Sequence, residues 1–88
     1  MKVLKFGSLG CIGCIVMKPR WGEIEKENPW VETEFFDVDE NPEIAKKWKT
    51  RDIPEFIFLD KNGAEIERMH GIVEKEILVA KIRELRNR

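Results

Sequence analysis

The residues best suited to chemistry are the chain's two cysteines, which are separated by two residues in Cys11-Ile12-Gly13-Cys14. A short apolar strand and a loop of small residues, Gly7 to Gly10, precede the pair, and a helix is predicted to begin at it. The free amides and positive dipole of a helix N-terminus stabilise the thiolate of Cys11, and the thiolate is the form that attacks disulfides. Cys14 follows one turn later on the same side, close enough for a tight disulfide. The spacing therefore predicts a two-electron thiol–disulfide switch.

Two other interpretations of the pair remain open. The cysteines could be small buried hydrophobic residues, or they could bind a soft ion such as Cu(I) or Zn(II). A structural zinc site usually needs four ligands, whereas this chain has two cysteines and one distant histidine, His70. Only a dimer that shares both cysteines would complete such a site. We expect a redox pair with no bound cofactor and no metal, and we keep a metal-handling module as the alternative.

Length and charge limit the classes of protein to which the chain can belong. With 88 residues, 42% of them hydrophobic, we expect one domain over residues 1–88. A net charge of -1 gives no electrostatic reason to bind nucleic acid or an anionic membrane. The N-terminal residues lack the apolar core of a signal peptide. We therefore expect a cytoplasmic monomer, and in that reducing compartment an adjacent cysteine pair is more often catalytic or metal-binding than structural.

Strands and helices alternate along the chain around the cysteine pair. Parallel strands need a helical crossover, and the Asn62-Gly63 turn favours an antiparallel hairpin near the end. The sequence therefore predicts an α/β fold of order βαβαββα, with a four-stranded mixed sheet flanked by three helices on both faces. The expected elements are strand 2–6, helix 12–27, strand 31–38, helix 42–49, strand 56–59, strand 64–69 and helix 74–87.

Three local patterns give more detail. Met17, Trp21 and Ile24 continue from Cys14 at helical spacing, which indicates the inward stripe of the first helix. Asn41 is the expected N-cap of the second helix. The bulky residues 35–38 predict a strand that is covered on both faces. Core positions are also expected for four aromatic residues, namely Trp21, Trp48, Phe56 and Phe58.

Several segments, in order, resemble the landmarks of thioredoxin. They are the stretch Phe36–Pro42, the stretch Arg51–Pro54, the turn Lys61–Gly63, and Gly71. Pro19, five residues after Cys14, resembles the proline that kinks the thioredoxin active-site helix. The resemblance covers nearly the whole chain, beginning after thioredoxin's N-terminal strand and helix. In length the chain is similar to glutaredoxins and to short glutaredoxin-like thioredoxins.

The resemblance implies a site and partners. Cys11 would be the catalytic nucleophile and Cys14 the resolving residue. The Ile53–Pro54 bond would be cis, so that the backbone of Ile53 is free to pair with an extended substrate, and Gly71 would line the rim. The implied partners are proteins with disulfides and a flavin- or ferredoxin-dependent thioredoxin reductase, with glutathione as the less favoured electron donor.

The chain also departs from thioredoxin around the cysteines. Gly10 stands where thioredoxin has tryptophan, and Ile12 and Gly13 fill the loop between the cysteines. Lys5 falls where thioredoxin has a buried aspartate, so the family's proton acceptor is not carried over. We expect Lys5 to extend along the protein towards solvent, and we assign no catalytic role to Lys5 or His70.

Overall fold

Four strands and three helices follow the predicted order βαβαββα in the computed structural model, which describes all 88 residues. The strands form one mixed sheet in the order β2-β1-β3-β4. Strand β1 is parallel to β2 and antiparallel to β3, and β3 is antiparallel to β4. The predicted fold class is therefore confirmed. The elements are β1 (Lys2–Gly7), α1 (Ile12–Glu27), β2 (Glu32–Asp37), α2 (Pro42–Lys47), β3 (Glu55–Leu59), β4 (Glu65–His70) and α3 (Lys75–Glu84).

Helices cover both faces of the sheet. Helices α1 and α3 pack on one face, where Met17, Trp21 and Ile24 of the predicted stripe are buried against Phe56 and its neighbours. Helix α2 packs on the other face through half-buried Trp48 and its neighbours. Strand β3 lies between the two layers, and all its residues are buried. No helix is long and apolar enough to cross a lipid bilayer.

The structure corrects one detail of the sequence analysis and adds to another. The strand around Phe35 was expected to be covered on both faces. However, β2 is an edge strand, and Phe35 is 56% exposed. Asn41 is the N-cap residue of α2, as predicted, but its side chain makes no capping bond, and its Nδ2 donates instead to the carbonyl of Asp37 at 3.1 Å. Pro42 occupies the first position of α2, where its missing N–H would have no partner within the helix in any case.

Charged side chains line both edges of the sheet. On β2, Glu32 and Glu34 are exposed and both pair with Lys2 of β1. On β4, Glu65 and Glu67 pair with basic side chains. Charges of this kind discourage an unpaired strand from adding a strand of another molecule.

Candidate active site

The two cysteines form a disulfide at the N-terminus of α1. Cys11 is the N-cap residue with extended backbone, and its Sγ accepts a hydrogen bond from the amide of Cys14 at 3.1 Å. The Cα atoms of the pair lie 5.2 Å apart, and both residues are half-buried. The predicted placement at a helix N-terminus and the predicted pairing are confirmed. The pair can therefore cycle between dithiol and disulfide.

Gly7, the last residue of β1, allows Cys14 to lie against the strand. A Cβ atom at this position would lie 2.9 Å from Cys14 Sγ and 3.1 Å from Cε1 of Phe35. The sequence analysis placed Gly7 only in a loop of small residues. Its contact depends on how α1 folds back on β1, so only its position at the end of the strand before the cysteines could have drawn attention to it.

The Ile53–Pro54 peptide bond is cis, as the resemblance implied, and Pro54 lies beside the start of α1. A Cβ atom on Gly13 would lie 3.0 Å from Pro54 Cδ, so the glycine between the cysteines permits this close approach. The amide of Gly71 donates to the Pro54 carbonyl at 2.8 Å, and Gly71 has a φ of 82° that favours glycine. The structure thus brings Pro54 and Gly71 together next to the cysteine pair.

The backbone of Ile53 is available for pairing. Neither its amide nor its carbonyl makes a hydrogen bond within the chain. Its side chain packs against the apolar cluster beneath α2, which holds the residue in place. An extended segment from another molecule could therefore use both backbone groups.

A buried ion pair holds the loop that leads to Pro54. Glu55 is 4% exposed and accepts from the Arg51 amide at 3.2 Å and from Arg68 Nη1 at 3.1 Å. Arg68 also donates to the carbonyls of Trp48 and Lys49 at the end of α2. This arrangement ties α2, the loop and β4 together. Sequence reasoning missed it because it depends on the register of β3 and β4.

Arg68 makes a second ion pair at the edge of the sheet. Glu65 Oε1 lies 2.7 Å from Arg68 Nη2. Hydrogen bonding to Arg68 lowers the pKa of Glu65 below its ordinary value of 4.5. The same contact, together with Glu55, raises the pKa of Arg68. Both groups are therefore charged throughout the neutral range.

Lys5 takes part in a polar cluster on the side of α1. Its Nζ lies 2.6 Å from Glu25 Oε2, and the same oxygen accepts from Thr33 Oγ1 at 2.8 Å. The Lys5 ammonium also lies 5.8 Å from the centre of the Trp21 ring. The Lys5 side chain therefore ends at a carboxylate beside the edge strand β2, with 17% of its surface exposed. His70, the other residue to which no catalytic role was assigned, is the last residue of β4 and is exposed.

Apolar side chains surround the disulfide on the surface. Leu9, Ile12, Ile15 and Ile72 are each at least 58% exposed, and we call them the apolar ring. Large apolar side chains grouped at a surface mark contact sites for other molecules. In contrast, no group of three or more His, Cys, Asp or Glu side chains is arranged to hold a metal ion.

Comparison with known proteins relates the chain to one family. The thioredoxin family profile matches residues 1–84. Thioredoxin H5 of rice (Oryza sativa subsp. japonica) is 36% identical over 69 residues, which cover 78% of this chain and 50% of the rice protein. The chain thus spans about half the length of this curated relative.

Solved thioredoxins have the same architecture. The X-ray structure of Fasciola hepatica thioredoxin gives a TM-score of 0.88 at 32% identity, over 96% of this chain and 79% of that chain. Thioredoxin 1 of the thermophilic eubacterium Thermosipho africanus gives a TM-score of 0.83 at 30% identity, over 96% of this chain and 92% of that chain. Because the family profile extends over nearly every residue and the cysteine pair lies at the head of α1, this chain belongs to the thioredoxin family.

Proposed function

We propose that the protein is a thiol–disulfide oxidoreductase that reduces disulfides in other proteins through Cys11 and Cys14. The observation that carries the proposal is the disulfide at the N-terminus of α1, half-exposed and adjacent to Pro54. A helix N-terminus stabilises the thiolate of Cys11 after reduction, because its free amides and dipole favour negative charge. The hydrogen bond from the Cys14 amide to Cys11 Sγ supplies one such interaction.

The reaction starts from the dithiol form. The Cys11 thiolate attacks one sulfur of the substrate disulfide, whose S–S bond breaks as the other sulfur leaves as a thiolate. Cys14, as its thiolate, then attacks Cys11 Sγ in the mixed disulfide and releases the second substrate sulfur. Two electrons pass from the protein to the substrate, and the two protons lost by Cys11 and Cys14 reach the substrate thiolates through solvent. The products are a substrate dithiol and the Cys11–Cys14 disulfide.

Substrate binding is assigned to Ile53, Pro54 and Gly71. An extended substrate segment would pair with the free amide and carbonyl of Ile53, as when a strand adds to a sheet. Pro54 and Gly71 would form the surface between that segment and the cysteines. Their mutual hydrogen bond keeps the two loops together and supports this assignment.

The proposal includes the setting in which the protein works. We assign residues 1–88 to one thioredoxin domain, because both apolar clusters pack on the same sheet. A thioredoxin reductase, flavin- or ferredoxin-dependent, would return the disulfide to the dithiol. A reducing compartment such as the cytoplasm suits a chain whose only cysteines form the redox pair.

An insulin reduction assay with dithiothreitol as electron donor tests the function. We expect the wild-type protein to accelerate precipitation of the insulin B chain, and Cys11→Ser to give only the rate of dithiothreitol alone. Pre-reduced Cys14→Ser that is mixed with insulin in the absence of dithiothreitol should accumulate a mixed disulfide through Cys11, because the resolving sulfur is missing. Gly22→Ala, on the exposed side of α1, serves as the active control.

Two results would contradict the proposal. The first is insulin reduction by Cys11→Ser at the wild-type rate. The second is stoichiometric metal in the purified protein without any insulin reduction, which would favour the metal-handling alternative. Iodoacetamide labelling of the reduced protein adds a direct check, because we expect Cys11 to react faster than Cys14.

A further inference from the structure

A cavity of about 370 Å³ lies beside the disulfide, between α1, β1 and β2. Buried Met17 and Trp21 form part of its wall, and exposed Leu9, Ile15 and Phe35 lie at its mouth. Cys14 lines the same space, and we call it the Cys14 cavity. Of the three residues assigned above to substrate binding, Pro54 lines the cavity, whereas Ile53 and Gly71 do not.

The cavity reaches the sulfur because Gly7 has no side chain. A Cβ atom on Gly7 would contact Cys14 Sγ and the Phe35 ring, and both residues line the cavity. Any other residue at this position would therefore place atoms between the sulfur and Phe35. The open space next to Cys14 Sγ therefore exists because this sequence has glycine at position 7.

Two of the three charged residues that line the cavity, Lys5 and Asp37, already have partners. The Lys5 ammonium is paired with Glu25. Asp37 Oδ1 accepts hydrogen bonds from the backbone amides of Asp39 and Glu40. An occupant therefore needs no charge to complement Lys5 or Asp37. The third charged residue, Lys18, is exposed on α1, where water solvates its ammonium. Most of the remaining wall is hydrophobic.

We propose that the Cys14 cavity binds one large apolar side chain, aromatic or branched, of the disulfide-containing substrate. The inference rests on the proposed oxidoreductase function. The volume is near the lower end of the range for ligand cavities, about 300–1,000 Å³, so it suits one side chain rather than a chain segment. Because Cys14 lines the cavity and is bonded to Cys11, we expect the occupant to lie close in sequence to the substrate cysteine that bonds to Cys11. The cavity thus selects substrates by the residue beside their disulfide.

Two synthetic peptides with an internal disulfide provide the test. They are identical except that one has Phe and the other Ala next to a cysteine. Pre-reduced protein is mixed rapidly with each peptide, and the rate of reduction is followed. We expect the Phe peptide to react about tenfold faster at subsaturating concentration, because its ring is buried in the cavity. Equal rates would overturn the cavity proposal and leave the oxidoreductase function intact, whereas reduction of neither peptide would overturn both.

Variants at the mouth identify where the preference arises. Phe35→Ala and Ile15→Ala should each reduce the preference for the Phe peptide by about threefold, since groups in contact are energetically coupled. Ile77→Ala is the matched control, because Ile77 is 51% exposed on α3 and does not line the cavity. An undiminished preference in Phe35→Ala and Ile15→Ala would contradict the proposal.

A binding measurement without chemistry completes the test. The Phe peptide with both cysteines replaced by serine is titrated into the oxidised protein, and backbone amide NMR shifts are recorded. We expect shifts at Ile15 and Phe35 that the Ala peptide does not cause. Shifts confined to Ile53 and Gly71, which do not line the cavity, would show that the ring binds elsewhere and would overturn the proposal.

Discussion

Two glycines determine how closely the elements of the site approach one another. Gly7 brings β1 against Cys14 Sγ, and Gly13 brings α1 against Pro54 Cδ. In both places a Cβ atom would lie 3.0 Å or less from its neighbour, closer than side chains normally pack. The site is therefore shaped by missing side chains as much as by the two sulfurs.

Gly7→Ala is expected to lower the free energy of unfolding of the oxidised protein by about 1–3 kcal/mol, as overpacking does in other cores. The new methyl group displaces Cys14 Sγ or the Phe35 ring. Urea denaturation followed by circular dichroism measures the change. The control is Gly22→Ala, where no atom lies within 4 Å and the helix should gain about 0.5–1 kcal/mol. A Gly7→Ala protein as stable as the wild type would contradict the contact.

Among the elements, α2 depends on the far edge of the sheet for its last turn. The end of α2 has free carbonyls, and Arg68 of β4 satisfies those of Trp48 and Lys49. Through Glu55 the same side chain supports the amide of Arg51. The position of the loop before Pro54 is thus linked to the pairing of β3 with β4.

Arg68→Met should lower the free energy of unfolding by about 2–4 kcal/mol, because it leaves the buried Glu55 carboxylate without its cation. Chemical denaturation measures the loss. The double variant Arg68→Met, Glu55→Gln should be more stable than Arg68→Met alone, since the unpaired charge is then absent. Lys75→Met removes an exposed pair with Glu23 and Glu27 and should change stability little. If Lys75→Met lowered the free energy of unfolding as much as Arg68→Met does, burial of Glu55 could not explain the effect of Arg68→Met.

Acidification should weaken the edge formed by β4. The pKa of Glu65 is lower in the folded protein than its ordinary value of 4.5, so its pairing with Arg68 stabilises the fold fully above that value. This contribution is lost as the pH falls through the lowered pKa. Denaturation from neutral pH to about pH 3 should show that the advantage of wild type over Glu65→Gln shrinks below pH 4.5. A difference independent of pH would exclude this pairing as its source.

At the scale of the whole molecule, local patterns predicted the elements and tertiary geometry decided the rest. The helical spacing of Met17 and Trp21 and the Asn-Gly hairpin are local signals, and both identified structure correctly. The exposure of Phe35 depends on strand order, which places β2 at an edge. The Glu55–Arg68 pair depends on register, and the Gly7 contact depends on the packing of α1 against β1. Periodicity within one element contains none of this information.

The charged edges should keep the molecule monomeric. Glu32→Val with Glu34→Val removes both carboxylates from the β2 edge and leaves a flatter, more apolar strand. We expect this variant to self-associate with rising concentration in sedimentation velocity experiments, whereas the wild type does not. Glu40→Val with Glu43→Val removes the same charge from exposed positions around the start of α2 and should stay monomeric. Association of the control pair to the same extent would exclude an edge effect.

The apolar ring around the disulfide has a consequence for how client proteins are chosen. Its side chains carry no formal charge, so in the proposed reaction they would recognise clients chiefly by exposed hydrocarbon. A folded client keeps such groups inside, and a partly unfolded one displays them together with its accessible sulfurs. For the proposed reaction we therefore expect discrimination by the conformational state of the client, with faster reduction of chains that have begun to open.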